Sequence, residues 1–118
     1  MEYTYRDAES LVAEALRSQG WAIIAQNIRT KHSELDIVAQ KHSTLIVVEV
    51  KLRRSRSLNG DISGLLPNRK KAALRRGFNA FLRRYSFLTW QTLRFDLAVV
   101  ARDQVGMRIN YYPNCFEY

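Results

Sequence analysis

Apolar residues recur at Ala8, Leu11, Val12, Ala15 and Leu16, spaced three and four apart as one face of a helix requires. Thr4 followed by Asp7 forms a capping box at its start, and Gly20 is placed to end it. The pattern then changes. Trp21 to Ile28 reads as a strand, and Arg29-Thr30-Lys31-His32-Ser33 as a polar turn into a second strand over Glu34–Gln40. A third strand covers Leu45 to Lys51, after a turn around Lys41-His42-Ser43-Thr44. Residues 55–68 lose periodicity and gain Gly60, Gly64 and Pro67, as a loop does. A long amphipathic helix follows over about 69–85, with Leu74, Phe78, Phe81, Leu82 and Tyr85 on its apolar face. Thr92 to Ala101 and the shorter Met107 to Tyr112 complete the pattern as strands.

The order α-β-β-β-α-β, with a helical crossover before the last main strand, predicts a mixed sheet in one α/β domain over 1–118. Both arms of the central hairpin are apolar on both faces. Leu35, Ile37 and Ala39 belong to one side, and Val38, Leu45 and Val47 to the other. Such strands fit a sheet covered by helices on both faces.

Those arms nonetheless carry acids. Opposed residues of an antiparallel hairpin have a constant sum of numbers, and a single register pairs Asp36 with Glu49 and Glu34 with Lys51. Opposed Cβ atoms lie roughly 4.5–5.5 Å apart, so Asp36 and Glu49 can share one hard cation. Glu34 alternates onto the strand face of Asp36, beside that site, and a Lys51–Glu34 bridge is the structural alternative to a chemical role for Lys51. Glu9 lies at the edge of the first helix's apolar stripe and points along the helix–sheet seam, whereas Glu14 falls on the outer face. His32 and His42 lack metal-ligand spacing, which argues against zinc.

Charge sharpens the picture. Nineteen Lys and Arg against eleven Asp and Glu give a net +8, and the pI is near 10.1. Between Lys51 and Arg84 the chain has eleven basic residues and one acid, Asp61. A segment that basic suits a polyanionic neighbour, nucleic acid first. Arg53, Arg54, Arg56, Arg69 and Arg75 are placed to line a groove continuing from the acids. No apolar run is long enough to span a bilayer, and the start lacks the apolar core of a secretory signal. The single Cys115 cannot form an internal disulfide, which points to a reducing cytoplasmic setting.

The pattern Asp36, apolar strand, Glu49-Val50-Lys51 resembles the PD-(D/E)XK nuclease superfamily. More narrowly, the chain resembles the YraN-like bacterial proteins, related to archaeal Holliday-junction resolvases. Glu9-Ser10-Leu11-Val12-Ala13, Gly20-Trp21 and Gln26-Asn27-Ile28-Arg29-Thr30 match its opening helix and first strand. Ser33-Glu34-Leu35-Asp36-Ile37-Val38, Val48-Glu49-Val50-Lys51-Leu52-Arg53, Gly60 with Lys70, Arg94-Phe95-Asp96 and Asn114-Cys115-Phe116 match its later landmarks. Ser33 replaces the family's glycine, and Ile62 and Gly64 stand where its loop carries a proline and a glutamate. The resemblance implies a restriction-endonuclease-like three-layer core and a metal-dependent endonuclease acting on structured DNA. It implies Asp36, Glu49, the Val50 carbonyl and Glu9 as ligands of one or two Mg²⁺ or Mn²⁺ ions, Lys51 at the attacking water or the phosphate, and Lys70 on substrate phosphate. A junction resolvase cutting two strands would work as a homodimer; a nickase needs no second copy. Two other readings compete: a non-catalytic nucleic-acid-binding module on the same fold, and an adaptor for an acidic protein partner.

Overall fold

A computed structural model of the chain describes residues 3–54 and 63–118. Helix α1 (Tyr5–Ser18) starts at Thr4, whose hydroxyl accepts from Asp7 N while the Asp7 carboxylate accepts from Thr4 N. These reciprocal bonds satisfy donors that a helix start leaves orphaned. Gly20 follows the helix at φ +94°, a backbone region that disfavours a Cβ.

Strands β1 (Ala22–Arg29), β2 (Glu34–Lys41), β3 (Thr44–Arg54), β4 (Thr92–Arg102) and β5 (Met107–Phe116) form one sheet in the order β1-β2-β3-β4-β5. The β1–β2, β2–β3 and β4–β5 pairs are antiparallel. The β3–β4 pair is parallel, bridged by helix α2 (Asn68–Arg84), which a short 3₁₀ turn at Ser63–Leu65 precedes. The mixed α/β architecture thus follows from the element order. The final strand is longer than its apolar pattern indicates, and residues 55–62 of the anticipated loop lie outside the described residues.

Two apolar clusters lie against the sheet. Ala8, Val12, Ala13 and Leu16 of α1 meet Ile37, Ala39, Ile46, Val48, Val50, Ala98 and Val100. Leu74, Phe78 and Phe81 of α2 meet Leu35, Val38, Leu45, Val47, Phe95, Leu97 and Val99. Val38, Leu45 and Val47 share a face, as their alternation predicts. Leu35 does not share one with Ile37 and Ala39: it packs under α2, while they pack under α1. Strict period-2 alternation fails across Asp36, where β2 turns over at the end of its ladder with β3. Among the described residues no helix is long and apolar enough to cross a membrane.

One buried carboxylate is structural. Asp96, 1% exposed, accepts from Arg94 (Nη2–Oδ2 2.9 Å), from the Tyr111 hydroxyl and from Asn114 N at 2.8 Å. The β4–β5 register shifts between Phe95 and Leu97, and Asn114 sits at φ +55°. Asp96 therefore stitches the irregular end of β5 to the sheet, occupying groups that the bulge takes out of the ladder.

Candidate functional site

The hairpin register is the one the acids suggested. Observed pairs run from Lys41↔Thr44 to Ile37↔Val48, all with the same sum as Asp36 and Glu49. Beyond Ile37 a side chain continues the pairing: Asp36 Oδ2 accepts from Val50 N at 2.8 Å. The open end of this hairpin is where the acids collect.

Glu9, Asp36 and Glu49 are buried, 4%, 4% and 5% exposed. Carboxylate oxygens of Glu9, Glu34 and Asp36 lie within 4.8 Å of one another, and the Asp36 carboxyl is also in hydrogen-bonding contact with Glu49. Helix α1 and strand β1 each supply one further group. Tyr5 hydrogen-bonds Asp36 through its hydroxyl, and the Asn27 amide on β1 has one orientation that satisfies both of its ends. In that orientation its nitrogen donates to Glu9 Oε1 and Oε2 at 3.0 and 2.9 Å. Asn27 holds this position at φ +53°, a conformation asparagine tolerates better than most residues.

Helix α2 closes the other side. Lys70 Nζ stands 3.3 Å from Glu49 Oε2, and Lys51 Nζ reaches the same oxygen at 3.2 Å. The bridge from Lys51 therefore goes to Glu49 and not to Glu34. Glu49 lies two residues back on the same strand face, nearer than the splayed β2 arm. Glu34 pairs with the exposed Arg29 at 3.4 Å. An open cavity of about 510 Å³ is lined by Glu34, Asp36, Glu49, both lysines, Tyr5 and Arg53, with Val50 and Leu52 at its wall.

Crowded acids resist ionising together. Burial, and then the Glu49 charge, push the Asp36 carboxyl up to about 8. Burial also raises Glu9, with the Glu34 charge acting in the same direction. Tyr5 is raised by its own burial and by the bond to Asp36. Carboxylate oxygens this close together are hard donors of the kind that could hold a divalent ion, which would relieve this repulsion. Glu9, Glu34 and Asp36 would hold it, with Glu49 and Val50 lining the same cavity as Glu34 and Asp36.

The basic residues divide. Arg54 and Arg69 are exposed. Arg53 is half-buried and donates to the Leu52 carbonyl at 2.8 Å. Arg75 is not on the groove: its Nε donates to Glu117 O at 2.8 Å, and its guanidinium lies 5.1 Å from the Phe116 ring centre. Arg56 lies outside the described residues. Tyr5 and Asn27 escaped the reading of the sequence as site residues, although an asparagine interrupting an apolar strand was a usable signal.

A family model described as uncharacterised protein family UPF0102 matches residues 8–100. The chain belongs to that family. A UPF0102 protein from Synechococcus sp. (strain JA-3-3Ab) is 38% identical over 113 residues, covering 94% of this chain and 84% of the relative. One from Acidothermus cellulolyticus is 35% identical, covering 94% and 91%. One from Pseudomonas fluorescens (strain Pf0-1) is 34% identical, covering 95% and 91%. The YraN-like resemblance thus holds at the level of the UPF0102 family. The matched segment contains every acid and both lysines of the site.

Proposed function

We propose that this protein is a metal-dependent endonuclease of the PD-(D/E)XK type, with a restriction-endonuclease-like core, that hydrolyses phosphodiester bonds in structured DNA. The observation that carries the reading is the gathering of Glu34, Asp36 and Glu49 with Lys51 and Lys70 at one cavity, with the buried Glu9 carboxylate against Glu34 and Asp36. Burying like charges is costly unless a cation joins them. A bound divalent ion would supply charge neutralisation at the phosphate and activation of water. Asp36 is oriented by Val50 N and Tyr5, and Glu9 by Asn27, which leaves both carboxylates little freedom to reorganise. Lys51 directs an ammonium to the same opening, where it can orient the attacking water or hold a phosphate oxygen. Arg54 and Arg69 extend positive charge beyond it, suited to backbone contacts and shape recognition.

The test is cleavage of a labelled panel (duplex, single strand, flap, four-way junction and RNA) with Mg²⁺, with Mn²⁺ and with EDTA. Asp36→Ala, Glu49→Ala and Lys51→Ala should each lose cutting by at least about a hundredfold while retaining most of their binding. Cutting that persists in an Asp36→Ala/Glu49→Ala protein sinks the proposal.

One observation favours a second reading. The two ammonium groups already neutralise Glu49 within the chain, as in a non-catalytic nucleic-acid-binding module whose acids serve stability. That module would bind nucleic acid in a salt-sensitive way and cut nothing on the panel.

A further inference from the structure

Two ammonium groups converge on a single oxygen of Glu49. Lys51 Nζ lies 3.2 Å and Lys70 Nζ 3.3 Å from Oε2. The lysines arrive from different elements. Lys51 shares strand β3 with Glu49, so their relative backbone positions are set by the sheet. Lys70 comes from the first turn of α2, across the cavity, and its side chain is the more exposed, 33% against 22%.

A lysine in a first helical turn faces the positive end of the helix dipole and is disfavoured there without a nearby anion. The first turn of α2 holds no acid and Pro67 provides no side-chain cap, while Arg69, Lys70 and Lys71 stand in succession. Glu49 is the anion that offsets Lys70. A divalent ion on the Glu49 carboxylate would sit about 2.1 Å from its oxygen, beside both ammonium positions. A metal on that oxygen would repel both ammonium groups, and the lysine that is more exposed and shares no strand with Glu49 is the one to leave.

We propose that Lys70 is a displaceable counter-cation of Glu49. It occupies the carboxylate when no divalent ion is bound, and once released it takes a nucleic-acid backbone phosphate beside the site. The inference rests on the metal-dependent reading above and adds to it an order: metal first, then phosphate on Lys70. The displaced ammonium, still at the positive end of α2, needs a new anion, and the nucleic-acid backbone supplies one at the mouth of the cavity.

Mn²⁺ titration of the nucleic-acid-free protein tests this by calorimetry, with wild type, Lys70→Met and Lys70→Arg compared and Asp36→Ala as the site control. Removing the competing charge should tighten Mn²⁺ binding in Lys70→Met by at least about threefold. Lys70→Arg, which keeps the charge, should bind no more tightly than wild type. In a second arm, Ca²⁺ should strengthen wild-type binding to a labelled duplex and leave Lys70→Met unchanged. Unaltered or weaker Mn²⁺ binding in a folded Lys70→Met protein overturns the counter-cation role alone. A wild-type protein without Asp36-dependent Mn²⁺ binding overturns the metal site together with it.

Discussion

Asp36 meets three other carboxyl groups, a tyrosine hydroxyl and a backbone N–H at the end of β2. Its carboxyl is held up to about 8, by burial first and by Glu49 second. A raised acid binds its proton more tightly in the folded chain than in the unfolded one. Its contribution to stability is therefore fully present below the ordinary value of 3.8 and is lost as pH rises towards about 8. Asp36→Asn keeps an acceptor for Val50 N and removes the charge. It should stabilise the metal-free protein at pH 8 on the order of 1–3 kcal/mol and change little at pH 4. Thermal melts at both values check this, and equal melting temperatures at pH 8 would show that Asp36 ionises there without strain. Asp36 and Glu49 were legible from the hairpin register and Glu9 from helix periodicity, while Glu34 meets Asp36 although the strand alternation that predicted it breaks there. Tyr5 and Asn27 were not legible, because each acts on an acid from a different element.

Between elements, a tight fit joins the β1–β2 turn to α2. A Cβ on Gly77 would overlap Ser33 Oγ and lie 3.3 Å from Thr30 Oγ1. Ser33 Oγ is buried without a hydrogen-bond partner among the described residues. Ser33 stands where the resemblance places a glycine, so this chain carries its hydroxyl against a helix that has a glycine to receive it. Gly77→Ala should cost about 1–3 kcal/mol through overpacking, despite the roughly 1 kcal/mol that alanine gains over glycine in a helix. Ser33→Gly should be close to neutral alone and restore much of the loss in the double variant. Urea denaturation of the four proteins gives the cycle. A double variant as unstable as Gly77→Ala would show that the overlap with Ser33 is not the cause. The segment also explains the misplaced Leu35: it follows Ser33 under α2, and the strand turns over before Ile37.

Across the whole molecule, the net charge of +8 becomes a surface only when each arginine's partner is known. Arg69 is exposed on the first turn of α2, whereas Arg75 of the same helix is tied to Glu117 O and to the Phe116 ring. If nucleic acid follows the groove from the acids, affinity should fall linearly on a log–log plot against salt. Arg69→Ala should reduce that slope by about 1, and Arg75→Ala should leave it near the wild-type value. Fluorescence anisotropy across a salt series separates them. Equal slope changes for the two variants would place the nucleic acid over the C-terminal end of the sheet as well.

The linear chain determined its helices, its strands, the β2–β3 register and membership in UPF0102. Each depends on spacings of two to four residues or on a short turn, and such spacings are readable without the rest of the molecule. Tertiary structure alone decided which distant polar groups meet. Lys70 crosses from α2 to Glu49, Arg75 is spent on the C-terminal segment, and Asn27 caps Glu9. Those choices depend on how α1 and α2 seat against the two faces of the sheet. A long, flexible charged side chain has many local partners within reach, and only the packed arrangement selects one.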